Sequence, residues 1–235
     1  MLLALDGVHA HYGKSHILHG VHLTVDAGEI VCLLGRNGVG KSTTLKTIMG
    51  LVPPSAGTIA FKGAPIAGLP AYRAARLGLG YVPEERRIFP TITVRENLLM
   101  GLKSGGNGTG RTWTLERVYE FFPRLRERMH QRAGTLSGGE QQMLTMGRTL
   151  VGNPDLLLVD EPTEGLAPMI VEEVERILTE THRGGTPILL VEQSMETALA
   201  LAQRVYVMSK GEIVFSGSVE ALRARDDVRT QYLEV

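Results

Sequence analysis

Gly35-Arg36-Asn37-Gly38-Val39-Gly40-Lys41-Ser42 limits what this chain can fold into more than any other stretch. It fits G-x-x-x-x-G-K-[ST] at every fixed position. The apolar run Ile30-Val31-Cys32-Leu33-Leu34 precedes it, and Thr43 to Leu51 reads as a helix that Pro53-Pro54 ends. A buried strand, a glycine turn and a helix, in that order, make a cradle for phosphate. Glycines let the backbone close around phosphate oxygens with successive N–H groups pointing inward. The helix then offers its positive end to the same anion. The candidate nucleotide-binding residues are therefore Gly35, Asn37, Gly38, Val39, Gly40, Lys41, Ser42 and Thr43. Lys41 would reach the β- and γ-phosphates of ATP, and the Ser42 hydroxyl would ligate Mg²⁺. A glycine-rich β-to-α turn that binds nothing would need neither Lys41 nor Ser42.

A second constraint is Leu156-Leu157-Leu158-Val159-Asp160-Glu161, an apolar run that ends in two carboxylates. A strand buried on both faces delivers its C-terminal end to the ligand crevice of an open α/β sheet. Asp160 would sit beside Mg²⁺, directly or through a water. Glu161 would polarise a water for in-line attack on the γ-phosphate. Taken alone, the pair reads equally well as a strand ending in a solvated acidic turn.

Further strands are expected at Ile188–Val191, Val205–Met208 and Thr58–Lys62, and Val21, Leu23 and Val25 alternate as in a half-buried strand. Helices are expected at Leu115–Met129, Ile170–His182 and Met195–Gln203. The pattern predicts an α/β fold: a P-loop NTPase core with a mainly parallel sheet, an N-terminal antiparallel β subdomain and an inserted α-helical subdomain. One domain over 1–235 is expected, with 1–85 and 151–235 as nucleotide-binding core and 86–150 as helical subdomain. Gly105 to Gly110 reads as a flexible surface loop.

Lysine plus arginine equals aspartate plus glutamate, at 25 each, so no basic footprint points to nucleic acid. The single cysteine, Cys32, reads as a buried strand residue. No Cys/His cluster in the sequence suggests a metal site built from protein ligands alone. Met1 to Asp6 lacks the features of a signal peptide, and no apolar run approaches the roughly 20 residues of a membrane helix. Any membrane role is expected to be peripheral.

Leu136-Ser137-Gly138-Gly139-Glu140-Gln141-Gln142 narrows the class. Ser137 and its glycines would form a second anion-binding cap, on a helix starting near Glu140. Alone, it would be an ordinary helix cap. Placed between the phosphate loop and the acidic pair, it resembles the signature of ABC ATPases, and the resemblance spans nearly the whole chain. That resemblance implies head-to-tail pairing of two subunits. ATP would lie between one phosphate loop and the partner's Ser137, Gly138 and Gly139. It also implies that Tyr12 stacks on adenine, against the alternative of an exposed strand tyrosine.

Three positions depart from the family pattern. Glu84 stands where a glutamine is usual; a carboxylate still ligates Mg²⁺, although Glu84 could instead pair with Arg86 or Arg87. Gln193 replaces the histidine that senses γ-phosphate; it donates a hydrogen bond but carries no charge. Ala167 replaces an aspartate that contacts the partner subunit. Together with Arg87-Ile88-Phe89-Pro90, these departures resemble the smaller ATPase of branched-chain amino-acid importers. The resemblance implies a second ATPase subunit (a paralogue or another copy), two membrane permeases and an extracytoplasmic solute-binding protein, at the cytoplasmic membrane face. Related importers of urea and short amides, and soluble ABC ATPases, remain as alternatives. Residues near Phe89, Thr93, Val94 and Leu98 are expected to border a groove for a permease helix, with Val94 and Leu98 equally readable as core.

Overall fold

In the computed structural model, which describes residues 1–103 and 113–233, the four buried apolar runs become neighbouring strands of one sheet. The loop expected at Gly105 to Gly110 lies outside the described residues. The chain opens with β1 (Leu3–Tyr12) and β2 (Ser15–Val25), followed by β3 (Ile30–Leu34) and α1 (Lys41–Ile48). Next come β4 (Pro54–Phe61), β5 (Ala64–Pro65), α2 (Ala71–Arg76) and β6 (Leu79–Val82). The helical insertion holds α3 (Val94–Leu99), α4 (Leu115–Phe121), α5 (Pro123–Glu127) and α6 (Gly138–Val151). The core resumes with β7 (Leu156–Asp160), α7 (Pro168–Arg183), β8 (Ile188–Glu192), α8 (Met195–Leu201), β9 (Arg204–Ser209) and β10 (Glu212–Ser218). Helices α9 (Val219–Arg223) and α10 (Asp226–Tyr232) close the described chain.

The larger sheet runs β10-β9-β3-β8-β7-β6, parallel except for the β10–β9 pair at its edge. The smaller sheet, β2-β1-β4-β5, is antiparallel. This is the P-loop NTPase architecture expected, with the helical segment inserted between β6 and β7.

Each central strand serves two cores because side chains alternate across a sheet. Val31, Leu33, Leu158 and Val191 face the smaller sheet and α1. Ile30, Cys32, Leu34, Val159 and Leu190 face the helices on the other side. Cys32 is fully buried, as expected of a strand residue. Arg204 ties the two sheets together. It reaches from β9 to the Thr24 carbonyl (2.8 Å), the Tyr206 hydroxyl (2.6 Å) and Glu29 (2.5 Å).

Some boundaries differ from the sequence reading, each for a local reason. Helix α1 begins at Lys41 rather than Thr43 and stops at Ile48, before either proline. Gly50 takes φ 71°, so the N–H groups of Gly50 and Leu51 turn back onto the carbonyls of Thr47 and Lys46. Pro54 instead opens β4, which runs to Phe61 rather than from Thr58 to Lys62. The helix expected over Leu115–Met129 breaks at Phe122, because Pro123 cannot continue it and starts α5 instead.

Candidate functional site

Leaving β3, the chain enters a turn that only glycine fits at two points. A Cβ on Gly35 would lie 2.5 Å from the Met208 carbonyl oxygen. One on Gly40, at φ 114°, would press on Leu18 at 3.0 Å. Gly40 is the residue that caps α1 and, having no side chain, supplies no oxygen to the first N–H groups of that helix. Those donors face outward at the helix's positive end. Gly38, Gly40, Lys41, Ser42, Thr43, Ile17 and Glu161 line a cavity of about 180 Å³ there. Larger hollows exist, such as one of about 680 Å³ between the two sheets. That one contains no glycine loop or helix start, so size does not pick the site.

Lys41 is 3% exposed and fully engaged. Its Nζ donates to the carbonyls of Gly35 (2.8 Å) and Arg36 (3.0 Å) and lies 3.0 Å from Glu161 Oε1. Asp160, at the end of β7, is wholly buried. Burial pushes its carboxyl above the usual range, against the pull of hydrogen bonds from Ser42 and Tyr81. The Tyr81 hydroxyl donates to Asp160 Oδ2 at 2.9 Å, while Oδ1 is buried with no partner. An orphaned carboxylate oxygen beside a serine hydroxyl is the donor chemistry a hard divalent cation takes.

Glu161 adopts φ 42°, unusual for a residue with a side chain. Its N–H donates to the Val191 carbonyl at 3.0 Å, which fixes the twist. Glu161 also borders a second cavity of about 320 Å³ with Thr163, Glu164, Glu192, Gln193 and Ser194. It is therefore the wall shared by the phosphate-loop cavity and the one holding Gln193. A hydrogen bond to Glu161, then partial burial, raises the pKa of Glu164.

Glu192, Thr163 and Tyr81 are site residues that the sequence reading missed. Glu192 is 3% exposed; it accepts from Thr163 Oγ1 at 2.8 Å and from the Gln193 N–H at 3.2 Å. It thereby ties the loop after Glu161 to the loop bearing Gln193. Burial raises its pKa, with those donors opposing. A signal was present: Glu192 ends an apolar strand run just as Asp160 does.

The remaining candidates do not line the phosphate-loop cavity. Tyr12 is 47% exposed at the end of β1. Glu84 is exposed, close enough to Glu164 to raise its pKa. The carboxylate that pairs with Arg87 is Glu85 rather than Glu84, at 2.5 Å. Ser137, Gly138 and Gly139 do not line the phosphate-loop cavity. Helix α6 starts at Gly138, earlier than Glu140, because Ser137 and Glu140 form a reciprocal capping box. A Cβ on Gly138 would lie 2.6 Å from the Arg86 guanidinium, and one on Gly139 would lie 3.2 Å from Ile170.

Near Phe89 a groove of about 350 Å³ is lined by Met49, Tyr81, Phe89, Met100 and Arg148 among others. Phe89 is 46% exposed, with the Arg148 guanidinium 5.1 Å from its ring centroid. Val94 and Leu98 are fully buried core, and Thr93 caps α3. Asn97, also fully buried, bonds both the N–H and the carbonyl of Phe89 at 2.9 Å and so holds the groove's rim.

Comparison with known proteins adds to this geometry. A family model described as ABC transporter matches residues 18–164. The high-affinity branched-chain amino acid transport ATP-binding protein BraG of Pseudomonas aeruginosa is 45% identical over 235 residues, 99% of each chain. The probable branched-chain amino acid transport ATP-binding protein LivF of Archaeoglobus fulgidus is 36% identical over 216 residues, 92% of this chain and 91% of that one. Among solved structures, an ATP-binding subunit of an ABC transporter superposes with TM-score 0.85 at 27% identity, covering 100% of this chain and 97% of that one.

Proposed function

Because the chain belongs to the ABC transporter family, we propose that it is the ATP-hydrolysing subunit of an importer of branched-chain amino acids. The chemistry rests on one observation: Glu161 is held between the Lys41 ammonium and the cavity of Gln193. The cargo rests on likeness to BraG and LivF.

ATP would seat its β- and γ-phosphates on the open N–H groups at Gly38 to Thr43. Lys41 then exchanges the carbonyls of Gly35 and Arg36, and its ion pair with Glu161, for phosphate oxygens. That exchange releases Glu161 to accept a proton from the attacking water. Glu161 is thus kept neutralised until a triphosphate draws Lys41 away. Ser42 and Asp160, with Glu84 at the rim, would hold Mg²⁺, which spreads the phosphate charge when bound. Gln193 donates toward the γ-phosphate, and Glu192 sets the direction of its loop.

Two subunits complete each site. Ser137, Gly138 and Gly139 would close over a partner's nucleotide while Tyr12 stacks on the adenine. The partner subunit is a paralogue or a second copy, working with two permeases and an extracytoplasmic binding protein. The groove at Phe89 fits a short permease helix. Among the described residues no helix is long and apolar enough to cross a membrane. The subunit would work as a peripheral protein on the cytoplasmic face, a reading supported by likeness to the transporter ATP-binding protein BraG. Residues 1–85 and 151–235 act as the nucleotide-binding core and 86–150 as the helical subdomain.

Vesicles carrying the permeases and both ATPase subunits test the cargo. Phosphate release should rise when the binding protein is supplied with leucine, isoleucine or valine. Stimulation by urea or short amides, and by none of these three, would reassign it.

A further inference from the structure

Five of the chain's seven histidines lie on one hairpin, and four of them gather on it: His9 and His11 of β1 with His16 and His19 of β2. The strand register brings them together, pairing His9 with His19 and His11 with His16 directly across the two strands. The His16 ring stacks on His11 at 4.1 Å and on His9 at 5.2 Å between centroids, and lies tilted against His19 at 3.9 Å. We propose that this hairpin face binds a first-row transition-metal ion of the Zn²⁺ type, with ligands drawn from His9, His11, His16 and His19.

Imidazole is the ligand such ions prefer in the absence of thiolate, and the only cysteine is buried elsewhere, in β3. Distance fits as well. His9 Nδ1 lies 3.0 Å from His16 Nε2. Two nitrogens each about 2.1 Å from a shared metal stand roughly 3.0–3.4 Å apart, for ligand angles from 90° to tetrahedral. The other ring nitrogens have partners of the kind that orient ligating histidines. His11 Nδ1 is 3.0 Å from Ser55 Oγ, and the His16 ring hydrogen-bonds the Leu18 backbone.

Among the described residues no three such side chains already converge on one point, since the rings stand stacked. What binding requires is rotation of partly exposed rings. The register already supplies the close cross-strand spacing of the side-chain roots. The inference rests on the hairpin alone and does not depend on the proposed ATPase function.

Calorimetric titration of the full chain with Zn²⁺, in excess Mg²⁺ to fill any oxygen-lined site, tests it. One Zn²⁺ should bind per chain in the micromolar range or tighter. His16→Ala should weaken this at least about tenfold, while His130→Ala should leave it unchanged. Equal affinity in His16→Ala and the parent, or no binding at all, overturns the proposal. A second readout guards against misfolding of the variant: imidazole proton resonances of the parent chain. Zn²⁺ should shift those of His9, His11, His16 and His19 and spare His130 and His182; the reverse pattern overturns it too.

Discussion

Two helices of this molecule begin beside glycines, and they begin in opposite ways. Helix α1 starts from Gly40, a cap residue with no side chain to accept from its first N–H groups. Helix α6 starts from Ser137 and closes its own end: Ser137 Oγ accepts from Glu140, and the Glu140 carboxylate accepts from the Ser137 N–H at 2.8 Å. Glu140 also places a negative charge there, paired with Arg128 at 2.9 Å. Glycines at a helix start therefore do not by themselves make an anion site. The first end is open and cationic, whereas the second is self-satisfied until something better than Glu140 arrives. That asymmetry suits a loop that holds ATP alone and a cap that acts only when a partner presents its nucleotide.

Four experiments would break or sharpen this contrast. The largest effect is expected at Glu161, on the wall of the open site. Glu161→Gln should cut phosphate release by the assembled transporter roughly 10²–10⁴-fold while ATP affinity holds; comparable turnover in mutant and parent would remove Glu161 as the base. Lys41→Ala should weaken ATP binding by about 10–150-fold, the worth of one charge-assisted contact of roughly 1.5–3 kcal/mol. Titration with a fluorescent ATP analogue measures this, and full retention of affinity would erase the difference between the two helix ends.

Ser137→Ala should leave ATP affinity of the isolated chain unchanged. It should cost about 0.5–2 kcal/mol of stability by denaturant melting and slow turnover only in the paired assembly. Loss of affinity in the isolated chain would mean that both ends serve the same nucleotide. The smallest effect belongs to Thr163→Val. Burial holds Glu192 above its ordinary pKa, so its ionised form is penalised once pH rises through that value and not below the unfolded one. Removing the Thr163 donor deepens the penalty. The variant should lose about 1 kcal/mol near pH 8 and almost nothing near pH 4; a melting-temperature difference that does not vary with pH would exclude the mechanism.

Those residues divide by how far their meaning travels along the chain. The phosphate loop was legible because Gly35 to Ser42 carry their geometry locally, strand before and helix after. The acidic pair was legible because an apolar run announced it. Thr163, Glu192 and Tyr81 were not, because each acquires its role from a partner on a different strand or loop. Pairing of β7 with β8 is what brings Glu192 near Thr163. Asn97 similarly looks like any helical asparagine until Phe89 folds against it. Two misses were readable: Pro123 announces the break in 115–129, and Ser137 with Glu140 spells a capping box. The P-loop NTPase fold was visible in the order of elements, whereas the four-histidine face needed the register of β1 on β2.

The left-handed backbone at Glu161 has a consequence for how this chain would respond to selection. A side chain held there costs of order 1 kcal/mol or more, and glycine would escape it. Glycine would also strip the buried Lys41 ammonium of its ion-pair partner, a loss of about 3–5 kcal/mol, so screening random libraries for heat resistance alone should still keep an acidic residue at 161. Sturdiness alone should then hold this torsion in place, even in a library freed from any demand for turnover.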